Sequence, residues 1–182
     1  IGLDGAAEPA EIASAGKKHV LEILYVGGLS ALKGVEQLLA ACQMLENRNV
    51  DFRLTLLGRG PLESTLRRLA GTLKRPERVQ LLGTIERKRL GRYYRSADLT
   101  CVPSISDTLP TVVLESLIAG TPVVGSDAGG IPFMVAPGEN GAIVPKGDAG
   151  SLADALERLH EDRPMLDRLR AHARDSVLPR FS

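Results

Sequence analysis

The sequence predicts a doubly wound α/β fold, an open parallel six-stranded sheet with helices on both faces. Three observations point there. Strand-like and helix-like segments alternate along nearly the whole chain. The strand-like segments are short and almost continuously apolar, as expected where both faces of a parallel sheet are covered. Several run directly into glycine-bearing turns that open the next helix. With right-handed crossovers between parallel strands, the Rossmann-like open sheet is the natural solution.

Residues 1–18 are small and polar with little periodicity, and read as a flexible lead-in; 19–182 read as the folded domain. The run from Val20 to Gly28, VLEILYVGG, is the first strand. A helix follows with Val35, Leu38, Leu39, Cys42 and Leu45 on one face. Phe52 to Gly60 is the second strand, and Pro61 opens a helix carrying Leu62, Leu66 and Leu69, a position that proline favours. VQLLG is the third strand, ERKRLGRYYRSA a helix, and DLTCVP the fourth strand. Then come a loop, the helix PTVVLESLIAG, the strand TPVVGSD, a short helix near Ile131–Val135 and the strand GAIVP. Two helices close the chain, one carrying Leu152, Ala155, Leu156 and Leu159, the other starting near Pro164 with Leu166, Leu169 and Ala173.

At 182 residues the chain has room for one substantial core and not for two ordinary domains. A formal net charge of +1 disfavours nucleic acid as a partner on bulk charge, while leaving room for a local basic patch. The absence of Trp argues in the same direction, against base-stacking platforms. No apolar run reaches the roughly 18 residues of a membrane helix, and no basic-then-apolar start suggests a secretory signal. Cys42 and Cys101 lack metal-ligand or redox spacing, and are expected to be free buried thiols in a reducing cytoplasm.

In such a sheet, ligands bind outside the carboxyl ends of the strands. After the first strand comes GGLSALKG, where glycines and Lys33 at the start of a helix make either an anion site or a plain turn with a solvated lysine. The glycine spacing fits neither a phosphate-binding P-loop nor the dinucleotide G-x-G-x-x-G. After the second strand, GRGP (Gly58, Arg59, Gly60, Pro61) is either a phosphate or ribose cradle or a tight strand–helix turn. The most informative stretch follows the fourth strand. Asp107 precedes a helix, and a carboxylate there is ordinarily a cap. Thr108, Leu109, Pro110 and Thr111 straddle the helix start, where free N–H groups point outward. Glu115 sits among Val112, Val113, Leu114, Leu117 and Ile118 in what reads as a nearly all-buried helix. It therefore needs a partner, either a sugar hydroxyl pair or a nearby basic residue. After the fifth strand, Gly129 and Gly130 again open a helix.

These segments, taken in order, resemble the C-terminal domain of the group 1 (family 4) retaining glycosyltransferases, enzymes of the GT-B type with two facing Rossmann-like domains. The resemblance runs through IGLD, VGGLSALKG, LLGRGP, VQLLG, YYRSADLTCVPSISDTLPTVVLESLIAGTPVVGSDAGGIP, GAIVP and the terminal FS. It implies an N-terminal acceptor domain that this sequence lacks. It implies a nucleotide-diphosphate sugar as donor, UDP- or GDP-linked, with Lys33 on the diphosphate. Asp107 then contacts the donor sugar and Glu115 the ribose hydroxyls. Leu109, Pro110 (which has no N–H) and Thr111 lie beside sugar and phosphates, Ile85 beside the base, and Gly58 close to the nucleotide. No metal and no further cofactor is implied. Gly28 stands where the family usually has Arg, Asp107 where Glu is more common, and Phe133 where Glu is frequent. The first two departures keep a second reading open, a degenerate module that holds nucleotide-sugar without catalysis. An epimerase is disfavoured by the paired acids, and a phosphorylase by the lack of a candidate pyridoxal lysine. Retaining transfer places positive charge on the sugar and negative charge on the leaving diphosphate. Lys33 and the helix start near Thr111 suit the latter. Without an acceptor domain, the chain alone is expected not to turn over.

Overall fold

The computed structural model describes residues 19–181; the expected lead-in over 1–18, the IGLD segment and Ser182 lie outside the described residues. The strands are β1 (Leu21–Val26), β2 (Phe52–Leu57), β3 (Val79–Gly83), β4 (Leu99–Val102), β5 (Val123–Ser126) and β6 (Gly141–Val144). The helices are α1 (Val35–Asn47), α2 (Glu63–Gly71), α3 (Arg87–Ser96), α4 (Thr111–Ile118), α5 (Ile131–Met134), α6 (Ala149–Glu161) and α7 (Arg163–Phe181). All pairings are parallel, in the order β3-β2-β1-β4-β5-β6. That is the doubly wound order, with its reversal between β1 and β4.

The apolar stripes do what their periods require. Val35, Leu38, Leu39, Cys42 and Leu45 of α1 are fully buried, and so are Leu152, Leu156 and Leu159 of the facing α6. Burying each large aliphatic contributes about 1.5–3 kcal/mol. Cys42 and Cys101 are free and buried, and burial first of all pushes the Cys42 thiol up to about 12 and raises Cys101 as well. On the other face, α3 packs over Leu24 and Leu57, and α4 packs against α7. At the amino ends of the strands, buried Asp98 accepts the Glu22 N–H at 2.8 Å and faces Arg163 and Arg170 at 3.4 Å, which fastens α7 to the sheet.

Three expectations need correction. The sheet is not covered on both faces throughout. Phe52, Leu54 and Leu56 of β2 are buried, but Arg53 is exposed and Thr55 half-buried, and Gln80 and Leu82 of β3 are exposed. β2 and β3 alternate because α3 covers β1 and only the end of β2. Second, the helix after β2 begins at Glu63, not at Pro61. The Leu62 N–H is drawn to the Leu29 carbonyl at 3.0 Å, so the chain is still tied to the β1 loop there. Third, Lys33 does not start a long helix; it ends a single 3-10 turn, Ala31–Lys33, and Gly34 with φ 71° separates it from α1.

The glycine at 58 answers to another loop. A Cβ built on it would lie 1.8 Å from the Gly27 carbonyl oxygen, and its φ is +144°. Only a hydrogen fits between the two strand ends. Gly58→Ala is therefore expected to lose upwards of about 2 kcal/mol of stability in urea denaturation, through both contact and backbone strain. A loss near zero would mean that the loops part easily.

Candidate functional site

The reversal between β1 and β4 opens a crevice at the carboxyl ends of the strands. Gly27, Gly28 and Lys33 line it from the β1 side; Ser104, Asp107, Leu109, Pro110 and Thr111 line it from the β4 side. Tyr25, Val26, Val102 and Val112 complete the lining, and the enclosed volume is about 180 Å³. Six expected site residues are thus brought together: Gly28, Lys33, Asp107, Leu109, Pro110 and Thr111.

An ion pair crosses the crevice. Lys33 Nζ lies 2.9 Å from Asp107 Oδ2, and the Asp107 side chain is only 11% exposed. Ser104 Oγ donates to the same oxygen at 3.2 Å, while Ser126 Oγ donates to the Ser104 carbonyl at 2.5 Å. Asp107 is consequently not a helix cap. The N-cap of α4 is Pro110, no side chain caps the helix, and its first turn carries no acid. The N–H groups of Thr111 and Val112 therefore remain as a partial positive charge beside the crevice. Gly129 fixes this loop from β5, since a Cβ there would fall 1.4 Å from the Asp107 carbonyl oxygen. The glycines after β5 thus seat the Asp107 loop.

Gly28 is exposed, and a Cβ on it would meet nothing nearer than the Arg59 carbonyl oxygen at 3.9 Å. Its own carbonyl accepts the Tyr25 hydroxyl at 2.6 Å, which pins the β1 loop. Gly58 does not line the crevice; it lies against Gly27, so its glycine identity is explained by packing.

Glu115 stands one turn further along α4, on the side that faces α3. The helix is not all buried, as its apolar neighbours suggested: Ile118 is exposed, Val112 and Leu114 are half-buried, and Glu115 itself is 30% exposed. Its carboxylate accepts the Tyr94 hydroxyl at 2.9 Å and lies 3.5 Å from Arg87. A phenol and a basic residue are thus the local partners. Tyr94 was missed in the sequence, because nothing there distinguishes its hydroxyl from its ring. Ile85 packs against the same apolar cluster as Tyr94, which also gathers Val26 and Val112. Exposed Phe133 stands on α5 at the same end of the sheet.

Known proteins share this fold. The model for the glycosyl transferases group 1 matches residues 8–176. A D-inositol 3-phosphate glycosyltransferase of Pseudarthrobacter chlorophenolicus is 34% identical over 144 residues, 77% of this chain and 34% of that protein. The chain spans well under half the length of the curated relatives it matches. The C-terminal domain of a glycosyl transferase group 1 protein (LpcC) of Francisella tularensis superposes with a TM-score of 0.79 at 19% identity, over 89% of this chain and 86% of that one. Alr3699/HepE of Anabaena, solved in complex with UDP-glucose, superposes with a TM-score of 0.80 at 22% identity, over 96% of this chain and 48% of that one. The fold is therefore the Rossmann-like unit found in GT-B glycosyltransferases.

Burial, and then the Glu115 carboxylate, raise the Tyr94 phenol far above its ordinary value of 10.0; burial chiefly does the same to Tyr25. The folded chain keeps protons that the unfolded chain gives up. Their contribution is full below pH 10 and is lost progressively as the pH climbs from there through the folded values. Urea stability is expected to fall above pH about 10, with a shallower fall in Tyr94→Phe. At neutral pH the same variant should cost about 1 kcal/mol for the lost hydrogen bond. Identical alkaline slopes for the two proteins would contradict this.

Proposed function

The chain belongs to the group 1 glycosyl transferases, and we propose that it is the donor-binding, C-terminal half of a retaining enzyme that uses a nucleotide-diphosphate sugar. The observation that carries this reading is the crevice itself: the lysine, the acid and the uncapped start of α4 converge at the switch point of the sheet. In this reading the diphosphate lies between Lys33 and the N–H groups of Thr111 and Val112. Its growing negative charge in the transition state meets a fixed cation and fixed dipoles, and no solvent has to reorganise. Asp107 and the Leu109 segment face the sugar. Glu115 takes the ribose hydroxyls, a role its half-exposed carboxylate suits, and Ile85 lies beside the base. UDP and GDP are the nucleotides to test first; a UDP-sugar is what the Anabaena neighbour holds. The acceptor belongs to an N-terminal domain outside this sequence, so the chain by itself binds donor and does not transfer. The free, buried cysteines fit a cytoplasmic enzyme. Among the described residues, no helix is long and apolar enough to cross a membrane.

The Lys33–Asp107 pair adds a step. A diphosphate that shares the Lys33 ammonium, which has three N–H donors, weakens its hold on Asp107 and leaves that carboxylate freer to turn toward the sugar. Phosphate recognition and sugar recognition are coupled through one 2.9 Å contact.

Gly28 favours a second reading, a module that holds its ligand too weakly to transfer. A phosphate contact made by a charged donor contributes about 1.5–3 kcal/mol, and with glycine at 28 this wall of the crevice offers Lys33 alone among the described residues.

Calorimetric titration with UDP, GDP and ADP and their sugars tests the proposal. One nucleotide should bind. Lys33→Ala and Glu115→Ala should each weaken it about 10- to 100-fold. Gly28→Arg, for which there is room, should tighten it by a similar factor; if it does and the natural chain binds only feebly, the module reading gains. Asp107→Asn should bind free nucleoside diphosphate more tightly and lose the extra affinity for the sugar conjugate. Binding that neither Lys33→Ala nor Glu115→Ala disturbs would place the donor elsewhere.

A further inference from the structure

The charge of this chain is unevenly placed. Five of its 23 Lys and Arg residues fall within the ten residues of α3, which contain none of its 22 Asp and Glu. Without α3 the chain carries 18 basic and 22 acidic side chains, so α3 by itself turns a net acidic remainder into a nearly neutral protein. All five cations, Arg87, Lys88, Arg89, Arg92 and Arg95, are exposed. Helical geometry places them outward because Tyr94 is buried and Leu90, Gly91 and Tyr93 are half-buried on the inner face.

Most of this charge is unspent. Lys88 reaches Glu86 at 3.4 Å and Arg87 reaches Glu115 at 3.5 Å. Among the described residues, Arg89, Arg92 and Arg95 have no carboxylate within ion-pair distance. The patch extends past α3. A groove of about 450 Å³ between α3, α4 and α7 is lined by Arg87, Arg95 and Arg174, with Leu90 and half-exposed Ile118 among its apolar walls. Arg174 is exposed and also lacks a carboxylate partner among the described residues, and Leu178, 40% exposed, follows it by one helical turn.

We propose that the outer face of α3, continued by Arg174 of α7, is a docking surface for an anionic lipid membrane. Guanidinium groups without internal partners match lipid phosphates in charge and geometry. Aliphatic side chains beside them, Ile118 and Leu178, suit the boundary between headgroups and acyl chains. Nucleic acid is the poorer match, because the α3 tyrosines face the core and leave no exposed ring on which a base could stack. The surface begins at Glu115, so docking would hold the crevice of α4 next to the lipid headgroups. The proposal rests on charge and exposure and does not depend on what the crevice binds.

Vesicle flotation tests it, with phosphatidylcholine vesicles prepared with and without phosphatidylglycerol. The chain should float with the anionic vesicles alone and should be released as salt is raised. Reversing R89E, R92E and R95E together should weaken binding on the order of a hundredfold. The R89Q, R92Q and R95Q combination should lose less in the same direction, which keeps the test valid if charge reversal disturbs α3. Reversing three exposed cations elsewhere, R68E, K146E and R168E, should leave binding unchanged. Equal or absent binding to both vesicle types would overturn the proposal. So would an equal loss in the control variant, which would reduce the effect to net charge. Tighter binding of heparin or single-stranded RNA than of vesicles at the same salt would assign the surface to a different partner.

Discussion

β1 and β4 are neighbours in the sheet, but the chains that leave them go to opposite faces. From β1 the chain turns to α1, which packs with α6; from β4 it turns to α4, which packs with α7. No backbone can bridge the gap between the two exits, so a crevice is forced open there by topology, before any side chain is chosen. The site depends on that divergence. Lys33 reaches the crevice from one wall and Asp107 from the other, and their ion pair exists only because the strand order reverses between them.

A crevice formed by diverging loops needs rigid walls, and here steric contact supplies them. Gly58 lets the β2 end rest on Gly27, and Gly129 lets the β5 end rest on Asp107. The loop carrying Asp107 is thus held by backbone contact from β5, by the Ser126–Ser104 hydrogen bond and by Lys33. The β1 loop is pinned by the Tyr25 hydroxyl on the Gly28 carbonyl. Loops fixed in this way lose little conformational entropy when a ligand arrives, which favours binding without adding a contact.

The strands and most of the helices were legible because period and composition are local properties. The alternation in FRLTLL was equally plain, yet it was absorbed into a picture of uniform burial. Arg53 and Gln80 mark the stretch of sheet that α3 does not reach. That Gly28, Lys33 and the segment 107–111 meet at one end of the sheet was legible from their places after the first and fourth strands. Their partners were not. Glycine identity reveals that something comes close, not whether it is a ligand or another loop, and only the fold shows that Gly58 faces Gly27. Nor does sequence reveal that Asp107 is held by a lysine 74 positions earlier, or Glu115 by a tyrosine 21 positions earlier. Contacts across the sheet depend on topology, and the sequence states topology only indirectly.

The two acids of the site also differ in physical situation, and that bears on their work. Asp107 is 11% exposed and already paired with a cation, so a new partner shares the carboxylate with Lys33. Glu115 is 30% exposed, accepts a neutral phenol and meets a guanidinium only at 3.5 Å. A neutral hydroxyl pair can join Glu115 beside its phenol partner, whereas at Asp107 it joins a carboxylate already held by a cation. The arrival of an anion at Lys33 therefore bears most directly on the first acid. Aspartate is one methylene shorter than glutamate, and Asp107, which already reaches Lys33 at 2.9 Å, has little freedom to reach past it.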